Sequence, residues 1–386
     1  MPAPSPRPII VVAPDSFKGS LAAEAVAHAI ADGIRSVLPD AEVRECPMAD
    51  GGEGSLDAIM HQGGERIPLT VQGASGMPRT IVAGMTSDGT AIVESADIVG
   101  ITDPIGMSVP VAARSSAGLG EALSQLMDRG AARCLIALGG TSTNDGGAGF
   151  LAALGVRMFD SAGRRVTPTL ETLPDIVRVD VSGIDSRLAR CEIVGMADVD
   201  NPLCGPRGAT AVFGPQKGVE TDSVTRHDAA IERFSALLET AFGHAHAASP
   251  GAGAAGGLGF AIRMLGGSLQ SGAELVAEQI GLRAALFGAD WLITGEGRSD
   301  TQTVGGKAPF AAAVCAHAAG VPPTLLSGAI DRSALALLGR HFAGCFAIAD
   351  GPMSLESAIE NAALLLHNAA AELTRLRFYT ASSGRL

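Results

Sequence analysis

Residues 9–20 read IIVVAPDSFKGS. The β-branched run Ile9–Ala13 has the length and composition of a buried strand. It ends at Pro14, which has no N–H to give a ladder. A polar loop, Asp15–Ser20, follows. Apolar residues then recur at helical spacing from about Leu21 to Leu38, with Ser20 as the expected N-cap and Glu24 near the capping-box position. A second strand over 42–47 opens onto Met48-Ala49-Asp50-Gly51-Gly52-Glu53-Gly54-Ser55 and a helix reaching about His61. Strand, loop, helix, twice over, is the opening of a parallel sheet.

The same grammar returns near the other end. A strand over Asp290–Thr294 opens onto Gly295-Glu296-Gly297-Arg298-Ser299-Asp300. A helix over Ala308–Ala319, a strand over Thr324–Ser327, a helix near 332–339, a strand over Cys345–Ala349 and a helix from Leu355 to about Leu376 are expected after it. The middle reads differently. Three β-rich stretches within 67–95 are split by turns at 73–76 and 87–89, as in hairpins, and further strands are expected at 134–138 and 192–197. The expected class is α/β: a discontinuous Rossmann-like or flavodoxin-like parallel-sheet domain, 1–68 plus 288–386, with a mixed α/β domain inserted at 69–287. A chain of 386 residues is long for one core, so two domains suit its length.

Hydrophobic residues at 47% and charged residues at 18% describe a globular chain. Aromatics at 4% argue against stacking on single-stranded bases. The net charge of −12 argues against nucleic acid and anionic membranes as partners. The long uncharged stretch 244–262 is too broken by Gly and Pro to span a bilayer. No two of the six Cys form a CxxC pair, and residues 1–8 carry no apolar signal core, so reduced thiols and a cytoplasmic setting are expected. The eight His make no zinc-site pattern. The basic residues are 25 Arg and three Lys, and Lys18, Lys217 and Lys307 each adjoin Gly. In so Arg-biased a chain, a retained Lys suits a site that needs a compact point charge.

Two nucleotide patterns fail. The GxGxxG at 251–256 has no strand before it. Lys307 is followed by Ala308 rather than Ser or Thr, and residue 301 is Thr rather than the first Gly of a phosphate loop. Five loops after expected strands remain, and ligands of open α/β sheets bind at such strand ends. In the first, Lys18 suits a carboxylate or phosphate, with Asp15 and Ser16 beside it. The second offers Asp50 and Glu53 to a metal or hydroxyl. The third, Gly139–Gly149, includes Gly139, Gly140, Thr141, Ser142, Asn144 and Asp145 and reads as a phosphate cradle. The fourth carries Asp198 and Asp200, spaced to share Mg²⁺ or to supply a base, then Asn201 and, further on, Lys217. The fifth carries Glu296, Arg298, Asp300, Gln302 and Lys307. Arg298 can grip a carboxylate bidentately. Anion holders, hydroxyl contacts and paired carboxylates suit phosphoryl transfer to a small hydroxy acid.

As a set, Pro14–Leu21, Ala49–Ser55, Gly140–Gly149, Asn201–Gly208 with Phe213–Gly218, Thr294–Lys307 and Ile348–Pro352 resemble the bacterial glycerate kinase family, type I, from about residue 9 to 375. The resemblance implies ATP- and Mg²⁺-dependent phosphorylation of D-glycerate to 2-phospho-D-glycerate, with a substrate cleft between two α/β domains and a place in glycerate catabolism. With it, Lys18 and Arg298 are expected at the glycerate carboxylate or transferred phosphate. Asp198 is the first choice for base or metal ligand, with Asp300, Glu296 and Asp200 next. Ser16, Asp15, Asp50, Glu53, Asn201, Gln302 and Lys307 are expected at the substrate, and the third loop with Lys217 at the ATP phosphates. A homo-oligomer is compatible with the reading. The alternatives are a kinase giving 3-phospho-D-glycerate and a sugar-acid sensor that binds without catalysis.

Overall fold

The computed structural model describes residues 7–378; Tyr379 and most of the Pro-rich start lie outside the described residues. It divides into two compact units. The first holds the described residues up to Asp50, Asp57–Gln62, and those from Ala273 onward; the second holds Gly51–Leu56 and Gly63–Gly272. The expected boundaries at 68 and 288 differ from these for a physical reason. The strand Glu65–Gln72 pairs over its whole length with Pro78–Met85, so residues 65–68 belong to the second sheet.

Eleven strands build the two main sheets. They are β1 (Ile9–Val12), β2 (Glu42–Glu45), β3 (Glu65–Gln72), β4 (Pro78–Met85), β5 (Thr90–Glu94), β6 (Arg133–Ala137), β7 (Glu192–Met196), β8 (Ser268–Gln270), β9 (Trp291–Thr294), β10 (Pro323–Ser327) and β11 (Gly344–Ala347). In the first unit the order is β11-β10-β9-β1-β2, and every pairing is parallel. This is the flavodoxin-like order, with its switch point between β1 and β9. The central strands read IIVV, WLIT and PTLLS and are almost wholly buried, as a sheet covered on both faces requires. Helix Ala23–Val37 crosses helix Ala362–Phe378 closely: a Cβ on Gly33 would lie 2.3 Å from the His367 carbonyl oxygen.

The second unit's sheet runs β8-β7-β6-β5-β4-β3. β5 to β8 are parallel neighbours, while β3 and β4 join antiparallel as hairpins. Its core is continuous from Ile67 to Met264.

Three local expectations change. Ser20 is not the cap of the first helix; Ala22 holds that place without a side-chain bond, and Ser20 Oγ donates to the Ile359 carbonyl at 3.0 Å. Glu24 faces His61 at 3.5 Å instead of closing a capping box. The helix expected over 355–376 breaks at Asn361 into Leu355–Glu360 and Ala362–Phe378. Asn361 Nδ2 donates to the Ser357 carbonyl, which ends the first piece.

Glycine sets how closely the strand-end loops of the first unit approach. A Cβ at Gly295 would sit 1.8 Å from the Leu326 carbonyl oxygen, whereas one at Gly305 would meet nothing within 4 Å. Gly295→Ala is therefore expected to lower unfolding free energy by about 1–3 kcal/mol, and Gly305→Ala by less than about 0.5 kcal/mol, in urea titrations.

Candidate active site

All five strands of the first unit point their carboxyl ends at one pocket of about 460 Å³. β1 delivers Asp15, Ser16, Phe17 and Lys18, β2 leads to Asp50, and β9 delivers Glu296–Arg298 and Asp300. β10 brings Gly328 and Ala329, and β11 brings Ile348 and Ala349. Lys307, at the N-cap of helix Ala308–Ala318, closes the charged side. The loops bind one another through backbone. Asp15 N donates to the Gly295 carbonyl, Gly328 N to the Glu296 carbonyl and Ala329 N to the Gly297 carbonyl.

Asp15 is 5% exposed. Burial, and then the neighbouring Asp50 charge, push its carboxyl up to about 7, although the Ser16 amide and Lys18 pull the other way. Lys18 is mostly exposed and lies 3.7 Å from Asp50. Glu296 is buried and bound on both oxygens. Ser299 and Thr303 hydroxyls donate to Oε1 at 3.0 and 2.6 Å, and Lys307 Nζ stands 3.4 Å from Oε2. Lys307 also lies 3.9 Å from Asp300. Asp300 Oδ1 accepts from the Gln302 amide, so that loop is a turn stapled by its own side chain. Arg298 is exposed at the rim, and Gln302 is exposed outside the lining.

The glycine-rich loop lies in the second unit, between β6 and helix Ala148–Ala153. Thr141 is 5% exposed, and Ser142, Thr143, Asn144 and Asp145 are wholly buried. Asp145 accepts from the Ser116 amide and hydroxyl and from the amides of Gly147 and Gly149. Burial raises its carboxyl against the pull of those donors. Lys217 is buried as well, its ammonium donating to the Thr143 carbonyl at 2.7 Å and to Thr141 Oγ1 at 3.3 Å. Burial brings that ammonium down to about 7. Arg114 ties the carbonyls of Ser142 and Lys217 together. A second glycine run packs backbone to backbone on this loop: a Cβ on Gly256 would lie 2.1 Å from the Thr143 carbonyl oxygen. These side chains hold the loop's own shape, and only the turn Gly139–Gly140 is outside the fully buried set.

Asp198 and Asp200 are exposed on the segment after β7, and Asp200 pairs with Arg207 at 3.1 Å. Asn201 Nδ2 donates to the Arg207 carbonyl and shapes that turn. Glu53 is exposed on the second unit. Among the described residues no three His, Cys, Asp or Glu side chains form a ready-made metal cluster. Sequence reasoning missed Arg114 and Ser116, whose partners lie tens of residues away in the chain. It also missed Ser299 and Thr303, which hold Glu296. Their hydroxyl-rich neighbourhood was visible, but the partner was not.

The Asp15 geometry has a thermodynamic consequence. Its folded-state affinity for a proton exceeds the unfolded value near 3.8, so the parent loses stability as pH rises from about 4 to 7. Asp15→Asn keeps the acceptor for Ser16 and removes the buried charge. The variant should match the parent near pH 4 and exceed it at pH 8 by on the order of 2–4 kcal/mol. Urea titrations at the two pH values check this, and equal stability at pH 8 would place the Asp15 charge in solvent.

Comparison with known proteins bears on the whole chain. The model of the Glycerate kinase family matches residues 10–377. Glycerate kinase of Bacillus subtilis (strain 168) is 40% identical over 368 residues, covering 94% of this chain and 96% of the relative. Glycerate 2-kinase of Escherichia coli (strain K12) is 40% identical over 316 residues, covering 79% and 81%. The crystal structure of a Salmonella typhimurium LT2 chain assigned as glycerate kinase 2 superposes with a TM-score of 0.85 at 35% identity, over 96% of this chain and 98% of that one. A flavodoxin-like sheet that gathers charged loops at its switch point, and near-full-length likeness to these proteins, lead to one conclusion: the chain is an enzyme of the glycerate kinase family.

Proposed function

We infer that this chain transfers the γ-phosphoryl group of ATP to D-glycerate and forms 2-phospho-D-glycerate. The observation that carries the reading is the buried Asp15 carboxyl, pushed up to about 7 inside a pocket that also holds Lys18, Arg298 and Lys307. A general base works best with a proton affinity near the working pH. As the C2 oxygen bonds to the γ-phosphorus, the bond from that phosphorus to the bridging oxygen breaks and ADP departs. The hydroxyl proton passes to Asp15. Lys18 and Arg298 hold the substrate carboxylate and the charge that spreads over the transferred group. Ser16, Asp50 and Lys307 orient the acceptor.

Magnesium fits Asp198 and Asp200 better than Glu296. Mg²⁺ bound with a nucleotide needs one or two carboxylates besides phosphate oxygens and water. The two aspartates are exposed and two residues apart, so the exposed Arg207 that pairs with Asp200 can give way to an ion, whereas Glu296 is buried with both oxygens engaged. When bound, the ion would neutralise phosphate charge. The E. coli relative's name as a 2-kinase supports C2 as the acceptor oxygen. We assign the activity to the cytoplasm, in keeping with six free cysteines. No described helix is long and apolar enough to cross a membrane.

Purified protein with Mg-ATP and D-glycerate should yield a C2 phosphomonoester by ³¹P and ¹H NMR. A C3 phosphomonoester would overturn the regiochemistry, and no product would overturn the acceptor. Asp15→Asn should lower kcat by about 10²–10⁴ with little change in glycerate KM. Lys18→Ala should lower kcat/KM by roughly 10²–10³, and a loss under about threefold would remove it from the site. Asp198→Asn should reduce kcat while leaving the thermal midpoint unchanged, because the residue is exposed. An unfolded variant would make Asp198 structural.

A further inference from the structure

The pocket of the first unit has two unlike sides. One carries Lys18, Arg298 and Lys307 among carboxylates. The other is apolar, formed by Ile348, Leu355, Ala358 and Ile359. Leu355 is 77% exposed and Ile359 39% exposed. Large apolar side chains left open at a pocket wall signal a ligand with an apolar face. Glycerate has none: each of its three carbons carries oxygen. A pocket of about 460 Å³ is also far larger than so small an acid needs, and lies in the range that encloses a drug-sized ligand.

We propose that the apolar wall formed by Ile348, Leu355, Ala358 and Ile359 seats the purine base of the phosphoryl donor, with its phosphates directed toward Lys18 and Arg298. The proposal rests on the phosphoryl-transfer reading in taking a nucleoside triphosphate as donor. A purine is flat, apolar on both faces and polar only at its edge. Gly328 and Ala349 border the same space, and their carbonyls can meet that edge; the Gly328 and Ala329 amides are already engaged by the Glu296 and Gly297 carbonyls. The pocket as a whole follows the general rule for open α/β sheets, in which ligands bind outside the carboxyl ends of the strands. The other glycine-rich stretch offers no comparable surface. From Ser142 to Asp145 it is wholly buried, and Lys217 is turned inward onto Thr141 and Thr143.

Leu355→Glu and Ile359→Glu place a carboxylate on the wall without opening the core, because Leu355 is largely and Ile359 partly in water and neither belongs to a buried cluster. Binding of ADP and of inorganic pyrophosphate to the full chain is measured by calorimetry, and glycerate KM by steady-state kinetics. The expected result is an ADP Kd raised about tenfold or more in both variants, with pyrophosphate Kd moved less than about twofold. Pyrophosphate carries the phosphates without the base, so equal shifts for the two ligands would overturn the proposal. So would an unchanged ADP Kd, or a rise confined to glycerate KM, which would give the wall to the acceptor. A parent protein that binds ADP with this pattern yet makes no phosphoglycerate would sustain the purine seat and defeat the acceptor reading alone.

Discussion

The pairing of β1 with β9 governs the first unit. Val12 lies against Ile293, 281 positions further along the chain, and the buried Thr294 hydroxyl donates to the Ala13 carbonyl at 2.7 Å. β2 then extends the sheet on one side, and β10 and β11 extend it on the other. Connections therefore diverge from this seam, and divergence leaves a crevice at the carboxyl ends of the strands. Every charged group assigned to chemistry in this unit hangs from a loop bordering that crevice. Closing so long a stretch of chain between two paired strands is entropically unfavourable, but part of that length is the second unit, which has its own core.

The charge arrangement follows from the loops' closeness. Gly295, Gly297 and Gly328 lack side chains where backbone meets backbone, so the loops after β1, β9 and β10 bond amide to carbonyl. That contact buries Asp15 beside Asp50 and draws Lys307 onto Glu296. The overall charge of −12 would repel an anionic substrate at long range. At contact distance the ammonium and guanidinium groups dominate, because Coulomb attraction at a few ångströms outweighs more distant charges that salt screens. A carboxylate held near neutral proton affinity is unfavourable for folding and favourable for accepting a hydroxyl proton. Such opposition between stability and function is common where sites are built.

Much of this was legible in the chain. The run IIVVA and its counterpart DWLIT announced parallel strands by composition, and the hairpins after Ile67 by their turn residues. Of the polar and charged residues singled out in loops after strands, Asp15, Ser16, Lys18, Asp50, Glu296, Arg298, Asp300 and Lys307 gather along one pocket. The Gly139–Gly149 loop was harder. Its hydroxyls and acids have the same composition whether they face a ligand or knit a loop. Only the neighbours decide: here Ser116, Arg114, Lys217 and the Gly256 backbone, brought together from distant segments. The apolar wall was hidden because Leu355 and Ile359 have the spacing of any amphipathic helix, and nothing local says that the apolar face is left open.

Sequence by itself determined the strand-loop-helix grammar, the class of fold, the family and the polar chemistry, because these are written in local patterning and residue type. Tertiary structure decided which lysine stays in solvent and which is buried. It decided that Glu296 is held by hydroxyls, and that Asp15 carries a displaced proton affinity. Those properties depend on dielectric and on partners at a few ångströms, and neither quantity exists until the chain has closed on itself.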